Sequence, residues 1–128
     1  MPSVAHFILY VRDQAASRDF YARVLDRAPS LDVPGMTELE LAGGAVLGLM
    51  PEAGITRLLG PEIEPSLLRN PGRAELYLVV DDPAAHHGRA LACGARELSP
   101  LSAREWGHVA AYSLDVDGYV LAFAAPMI

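Results

Sequence analysis

A repeated strand is the sequence feature that most limits how this chain can fold. The first copy, Val4 to Val11, is an almost unbroken apolar run that contains one histidine, His6. Sixty-nine positions later, the run Ala74 to Val80 repeats the pattern, with Glu75 where the histidine stood. Both runs are typical of buried strands. Two such strands, each with one ionisable side chain at the same place, predict a duplicated module.

A helix is predicted after each of these strands. Asp13 is suited to cap the first helix through its side-chain oxygen, and apolar residues four apart between Ala16 and Val24 form one helical stripe. In the second half, Asp82 and Pro83 open a helix, because proline is favoured at the first helical position. Gly94 then closes this helix at the position that favours glycine.

Short strands are predicted to follow each helix. The first half has apolar or alternating segments at 30–33, 36–41 and 45–50, separated by Pro34-Gly35 and Gly43-Gly44. The second half has strands at 96–98, 108–114 and 119–124, with 99–107 as a loop and Asp117-Gly118 as a hairpin turn. Each half therefore has the order β-α-β-β-β.

The predicted domain organisation is two modules within one compact domain. Residues 1–50 form the first module, 51–72 a connector rich in proline and glycine, and 73–128 the second module. Short helical turns are predicted inside the connector at 56–59 and 65–68. The connector is too apolar for a free linker, so we expect it to pack across a surface such as a pocket mouth.

Composition excludes several functional classes. Hydrophobic residues make up 52% of the chain and charged residues 20%, which argues against disorder. The net charge of −6 argues against nucleic acid as a partner. Cys93 is the only cysteine, so neither an internal disulfide nor a cysteine-rich zinc site is expected. No apolar run approaches the roughly 20 residues that span a bilayer, so a cytoplasmic protein without membrane contact is expected.

Several motifs resemble the vicinal oxygen chelate superfamily, which includes glyoxalase I, bleomycin resistance proteins and extradiol dioxygenases. They are the segment His6 to Asp13, the helix motif Ser17 to Leu25, and the closing Asp115-Val116-Asp117-Gly118-Tyr119. The resemblance implies an α+β fold. Two tandem βαβββ modules would form a curled eight-stranded mixed sheet, a cup, with the helices on its outer face.

The same resemblance implies where a metal would be held. Family members that use a metal bind it with four side chains that point into the cup, and by position these are His6, Gly48, Glu75 and Ala122. Only His6 and Glu75 carry a donor atom. We therefore expect no metal and no other cofactor. The alternative is a divalent metal held by His6, Glu75 and a third ligand from Glu38, Glu40 or a partner chain.

Without a metal, His6 and Glu75 have two further interpretations. They form the polar floor of the cup, or they act together as a general base with perturbed pKa values. Other ionisable residues are expected to be structural. His86 and His87 diverge by about 100° on their helix and are predicted to lie at the surface. Asp115 and Asp117 are predicted to be turn residues.

Side-chain alternation predicts the lining of the cup, since every second residue of a strand faces the same side. The predicted ligand-binding residues are His6, Ile8, Tyr10, Val46, Gly48, Met50, Glu75, Tyr77, Trp106 and Ala122. Aromatic, apolar and small side chains favour a flat organic ligand. Glycine and alanine at two of the ligand positions are expected to enlarge the cavity, which favours binding over catalysis.

The leading hypothesis is a homodimeric, metal-free protein that binds a small organic molecule, aromatic or cationic, in a cup built within one chain or across two. One alternative is a metal-dependent lyase, isomerase or dioxygenase that uses His6 and Glu75. Another is a module that mainly dimerises or docks to a partner.

Overall fold

A computed structural model describes residues 4–65 and 73–128. The chain divides into two compact units, Met1–Arg69 and Asn70–Ile128. Each unit contains one four-stranded mixed sheet. The α+β fold class with two βαβββ modules is confirmed.

The described residues of unit 1 contain four strands and two α-helices. In chain order they are β1 (Ala5–Val11), α1 (Gln14–Val24), β2 (Leu31–Val33), β3 (Met36–Glu40), β4 (Ala45–Pro51) and α2 (Glu52–Leu59), with a short 3₁₀ turn at Ala42–Gly44 before β4. The strand order in the sheet is β1-β4-β3-β2, with β1 and β4 parallel and the other pairs antiparallel. A parallel pair needs a crossover connection, and α1 lies within it.

Unit 2 repeats the four-stranded arrangement, with one helix among its described residues. Its elements are β5 (Glu75–Val79), α3 (Pro83–Ala92), β6 (Arg96–Ala103), β7 (His108–Leu114) and β8 (Val120–Pro126). The strand order is β5-β8-β7-β6, with β5 and β8 parallel. The two sheets therefore have the same topology, as the repeat predicts.

The helix caps follow the local sequence. Asp13 accepts a hydrogen bond from the Ala16 backbone N–H at 3.0 Å, and Asp82 accepts one from the Ala85 N–H at 3.1 Å. Each cap satisfies a donor that the first helical turn leaves without an intrahelical partner. Gly94 follows α3 with φ +110°, a conformation that favours glycine.

In each unit the helix covers one face of the sheet and buries its core there. In unit 1 the buried side chains include Val11, Phe20, Tyr21, Val24, Leu39, Leu47 and Leu49, and in unit 2 they include Ala90, Ala111, Leu121 and Phe123. Small residues dominate in unit 2. Such residues allow α3 to lie close to the sheet.

One prediction about the surface is wrong. His87 is only 7% exposed, and its Nε2 lies 2.9 Å from Glu97 Oε2 on β6. It faces the sheet beneath α3, whereas His86 is half-buried with its ring 5.1 Å from that of Phe123. An imidazole can be buried when a carboxylate partners it, a contact that helical spacing alone does not predict.

The largest difference from the predicted elements lies in the second half. Strand β6 continues to Ala103, through part of the segment 99–107 that was expected to be a loop. Two register irregularities, between Glu97 and Ser99 and between Ser99 and Ser102, interrupt its pairing with β7. Such bulges break the alternation by which a strand is recognised in sequence.

The connector begins with a helix rather than an isolated turn. Helix α2 includes the predicted helical turn at 56–59 and buries Ile55. The predicted turn at 65–68 lies almost wholly outside the described residues. No helix in the described part of the chain is long and apolar enough to cross a membrane.

Candidate functional site

The strand register places six of the predicted site residues on one face of the first sheet. His6 is paired with Val46, Ile8 with Gly48, and Tyr10 with Met50 across β1 and β4. On β3, Glu38 is paired with Gly48 and Glu40 with Val46. Paired residues share a face, so this surface, here called the His6 face, carries His6, Ile8, Tyr10, Glu38, Glu40, Val46, Gly48 and Met50.

The polar centre of the His6 face is an imidazole and a carboxylate. His6 Nδ1 lies 3.4 Å from Glu38 Oε2, and the two side chains are 42% and 22% exposed. The sequence pointed to Glu38 only as a replacement metal ligand, and to Glu75 as the partner of His6. Glu38 comes this close to His6 because its side chain reaches diagonally across β4.

The space beside Gly48 is filled. A Cβ atom at this position would overlap Ile8 Cδ1 and lie 3.4 Å from Met36 Sδ. Gly48 is itself buried. The expectation that this glycine enlarges a cavity is therefore wrong, since the Ile8 and Met36 side chains occupy the volume.

The residues present do not fit the metal site that the family resemblance implies. Gly48 has no donor and its place is taken by Ile8. Ala122 is fully buried and also lacks a donor. Across residues 4–65 and 73–128, no three His, Cys, Asp or Glu side chains are grouped so that they could hold a metal ion. Of the four positions that the resemblance points to, only His6 and Glu75 carry a donor atom.

The corresponding surface of the second sheet is aromatic. Tyr77 on β5 is paired with Ala122 on β8, Ala122 with Tyr112 on β7, and Tyr112 with Ser99 on β6. This row defines the Tyr77 face. Ala122, with no exposed surface, lies between the two tyrosine positions.

Tyr77 is the centre of a short hydrogen-bonded chain. The Trp106 indole N–H donates to the Tyr77 hydroxyl oxygen at 2.9 Å, and that oxygen lies 2.7 Å from His108 Nδ1. The Tyr77 and His108 rings stack with centroids 5.8 Å apart and planes inclined by 21°. Trp106 remains 57% exposed. The turn between β6 and β7 thus presents an accessible indole that is tied to β5.

Arg104 stabilises the same turn and lies over Tyr112. Its Nε and Nη2 donate to the Ala110 carbonyl, and Nη2 also donates to Ser99 Oγ and the Pro100 carbonyl. The guanidinium carbon is 5.2 Å from the Tyr112 ring centroid, a cation–π distance.

The Tyr112 phenol is kept neutral. Burial, followed by the negative charge of Glu75 and by Tyr77, raises the pKa of Tyr112, and only Arg104 opposes this. Its ionised form is therefore disfavoured on this face.

Glu75 lies on the Tyr77 face, two residues before Tyr77 on β5, and is exposed. A shallow depression of about 240 Å³ is lined by Arg73, Ala74, Glu75 and Val120. The carboxylate therefore borders accessible space, together with one cationic side chain.

A second polar cluster lies on the helix side of unit 1. Gln14 Nε2 donates to Thr37 Oγ1 at 2.9 Å, Thr37 Oγ1 donates to Asp32 Oδ1 at 2.8 Å, and Arg18 Nη1 donates to Asp32 Oδ2 at 3.0 Å. Hydrogen bonding by Thr37, and then by Arg18, lowers the pKa of Asp32 against the opposing effect of burial. The cluster joins α1 to the β2–β3 hairpin, so we interpret it as structural.

The closing hairpin is also structural. Asp115 Oδ1 accepts hydrogen bonds from the Asp117 and Tyr119 backbone N–H groups, and Gly118 has φ +88°. The prediction that Asp115 and Asp117 are turn residues is confirmed.

The structure thus brings the predicted residues together in two groups, one per sheet. Sequence reasoning missed His108, Arg104 and Tyr112. The alternation of His108, Ala110 and Tyr112 along β7 could have indicated the first and the last. Nothing local marked Arg104, because its contacts depend on the bulges of β6.

The tandem βαβββ fold and these faces define the class of protein. The family model for the Glyoxalase/Bleomycin resistance protein/Dioxygenase superfamily matches residues 3–123. The chain belongs to this superfamily.

Solved structures show the same fold. A glyoxalase-related enzyme from Fulvimarina pelagi is 25% identical, with a TM-score of 0.81 over 98% of this chain and 88% of that one. A glyoxalase/bleomycin resistance protein/dioxygenase family enzyme from Burkholderia phytofirmans PsJN is 18% identical, with a TM-score of 0.81 over 96% and 98%. A protein from Agrobacterium tumefaciens is 25% identical, with a TM-score of 0.75 over the whole of both chains. Among curated proteins, no relative matches.

Proposed function

We propose that this protein binds a small organic molecule without a metal, and that the Tyr77 face is the main binding surface. The observation that carries the proposal is the chain Trp106, Tyr77 and His108, in which an indole that is 57% exposed is fixed beside polar groups. Small-molecule sites commonly combine aromatic surface with a few convergent polar groups. An exposed indole held in place has this character.

The filling of the ligand positions supports a role without a metal. Ile8 takes the space of the absent side chain at Gly48, and Ala122 is buried between two tyrosine positions. Restoring a donor at either place would require the neighbouring side chains to move. We therefore propose that neither unit binds a metal ion through its own side chains.

A thermal-shift screen of aromatic and cationic compounds tests the binding proposal. A ligand that binds only the folded protein raises its melting temperature in a concentration-dependent way. We expect hits on the wild type that weaken in Trp106→Ala. Phe7→Ala is the matched control, because Phe7 is 55% exposed but lies on the opposite face of β1 from His6. A library without hits on the wild type would contradict a binding function and favour a module that mainly docks to a partner.

The alternative is a metal-dependent lyase, isomerase or dioxygenase. The distance of 3.4 Å between His6 Nδ1 and Glu38 Oε2 favours it, since imidazole and carboxylate are both metal ligands. It requires stoichiometric Ni, Zn, Fe or Mn that survives dialysis in the wild type and is lost in His6→Ala. If the protein acts without a metal, as we propose, elemental analysis finds no stoichiometric metal in the wild type or in His6→Ala.

We also propose that the protein is a cytoplasmic homodimer that binds neither nucleic acid nor membranes. The net charge of −6 supports the exclusion of nucleic acid. Exposed apolar side chains such as Leu58 at 68% and Leu59 at 52% support self-association. Light scattering coupled to size exclusion tests the dimer, and a monomeric mass at micromolar concentration would contradict it.

A further inference from the structure

The hydrogen-bonding capacity of Tyr77 is almost fully used, and what remains can be assigned. An indole N–H can only donate, so the Tyr77 oxygen accepts from Trp106. The distance of 2.7 Å to His108 Nδ1 is typical of a hydroxyl donor rather than an N–H donor, so we assign the phenol proton to this bond. His108 is then the neutral tautomer that carries its proton on Nε2. The Tyr77 oxygen keeps one lone pair and no proton to offer.

This arrangement makes the Tyr77 oxygen an acceptor for a ligand. A phenol that donates to one partner becomes a better acceptor for another, because hydrogen bonds in a chain polarise one another. The stacked His108 ring and the Trp106 indole fix the position of the oxygen. A ligand that contacts it must therefore supply an N–H or O–H donor.

Glu75 adds a second acceptor on the same face. It lies two residues from Tyr77 on β5, a separation of roughly 7 Å along a strand. Among the described residues, Glu75 has no hydrogen-bond or ion-pair partner, and an ionised carboxylate only accepts hydrogen bonds. Two acceptors at this spacing next to an exposed indole favour a ligand with a positive charge.

Two cationic side chains near this face are Arg104 and Arg73. Arg104 is held by the Ala110 and Pro100 carbonyls, by Ser99 Oγ and by the Tyr112 ring. A carboxylate ligand would have to compete with these partners. Arg73 borders the same depression as Glu75 and competes with a cationic ligand there.

We propose that the Tyr77 face recognises a protonated aromatic amine. The ring stacks on Trp106, and the ammonium group donates to the Tyr77 oxygen and to the Glu75 carboxylate. Cation–π attraction to the indole adds to both contacts. This inference rests on the proposed binding function and specifies the ligand class for it.

The test uses three probes with one ring system: 2-naphthylmethylamine as the cation, 2-naphthalenemethanol as the neutral donor and 2-naphthoate as the anion. Trp106 is the only tryptophan, so a single indole ¹H–¹⁵N resonance reports on the site. Titrations of the full chain at neutral pH give each dissociation constant, with calorimetry as a second measurement. We expect the amine to bind about tenfold more tightly than the alcohol, and the naphthoate to bind most weakly.

Substitutions separate the two acceptors. Glu75→Gln should weaken binding of the amine about tenfold and leave binding of the alcohol unchanged, whereas Tyr77→Phe should weaken binding of both. Arg73→Gln should strengthen binding of the amine, because it removes a positive charge that competes with the amine at Glu75. Glu105→Gln is the matched control, because Glu105 is an exposed carboxylate next to Trp106 whose loss changes net charge equally. Circular dichroism and the melting temperature of each variant show that it is folded.

Four results would overturn the proposal. One is naphthoate binding as tightly as the amine, and another is amine binding that neither Tyr77→Phe nor Glu75→Gln weakens. In the third, the amine leaves the indole resonance unmoved while other compounds stabilise the protein, which rejects this ligand class but leaves the binding function intact. A library in which no compound binds the wild type would reject both.

Discussion

The two units use the same strand positions for different chemistry. In unit 1 the central row is Ile8, Gly48 and Glu38, and in unit 2 the corresponding row is Tyr77, Ala122 and Tyr112. The first row has an aliphatic side chain over a glycine, with a carboxylate that reaches toward His6. The second places two phenols on either side of an alanine. The same strand arrangement thus carries the His6 face, with its imidazole and carboxylate, in unit 1 and the aromatic Tyr77 face in unit 2.

This comparison shows how a strand position without a large side chain can be filled by neighbouring side chains. Side chains in protein interiors pack to high density, so a missing side chain is compensated by its neighbours. Ile8 does this in unit 1. In unit 2, Trp106 extends from the turn after β6 to reach Tyr77, and no equivalent of this contact occurs among the described residues of unit 1.

The largest expected loss of stability tests whether unit 2 depends on one aromatic ring that is buried beneath its sheet. Phe123→Ala should lower the free energy of unfolding by about 3–5 kcal/mol, because Phe123 is fully buried and the small residues around it cannot fill the cavity. Leu47→Ala in unit 1 should cost about 2–5 kcal/mol. Urea denaturation measures both. Phe7→Leu, at an exposed position, should stay within about 0.5 kcal/mol, and a loss below about 1 kcal/mol for Phe123→Ala would contradict the packing described.

A smaller effect is expected at the buried histidine of unit 2. His87 Nδ1 has no hydrogen-bond partner among the described residues. Among those residues, the imidazole ring is therefore hydrogen-bonded only to Glu97, through Nε2. Glu97→Ala should destabilise by about 1–3 kcal/mol, since it leaves a second buried nitrogen unpaired. The double variant His87→Leu with Glu97→Ala should recover most of this loss. Equal losses in the single and double variants would show that the unpaired nitrogen is not the cause, and Glu105→Ala is the control.

Substitution of Gly48 tests whether Ile8 fills the space beside it in unit 1. Gly48→Ala should cost about 1–3 kcal/mol, because its methyl group overlaps Ile8 Cδ1, and Ile8→Val in the same chain should restore much of the stability by removing that atom. Gly88→Ala on α3 is the matched control. Nothing lies near its added methyl group, so it should stabilise by about 0.5–1 kcal/mol. A Gly48→Ala variant with the same free energy of unfolding as the wild type would show that Ile8 does not fill the site.

The smallest effect concerns acid stability of unit 1. The pKa of Asp32 lies below its ordinary value of 3.8, mainly because Thr37 donates to it. Its contribution to stability is therefore present above pH 3.8 and is lost as the pH falls through the lowered pKa. Asp32→Asn should lower the melting temperature at pH 7 and differ less from the wild type near pH 3. Asp81→Asn in unit 2 is the control, and a difference that grows toward acid would contradict the assignment.

The sequence alone predicted much of the fold, because its signals are local. Asp13 and Asp82 cap helices within one turn, and the Asp117-Gly118 hairpin is specified by adjacent residues. The same locality explains the error at β6, where bulges at Ser99 hide the alternation from which a strand is recognised.

The sequence by itself determined the duplication, the order of strands and helices, and which residues share a sheet face. Strand alternation and helix capping act over a few residues, so they are visible in the chain. Only the tertiary structure decided that Ile8 fills the space at Gly48, that Glu38 reaches His6, and that Trp106 is tied to Tyr77. Those contacts join residues 29 to 40 positions apart. They depend on strand register and on the path of a turn, which no local pattern encodes.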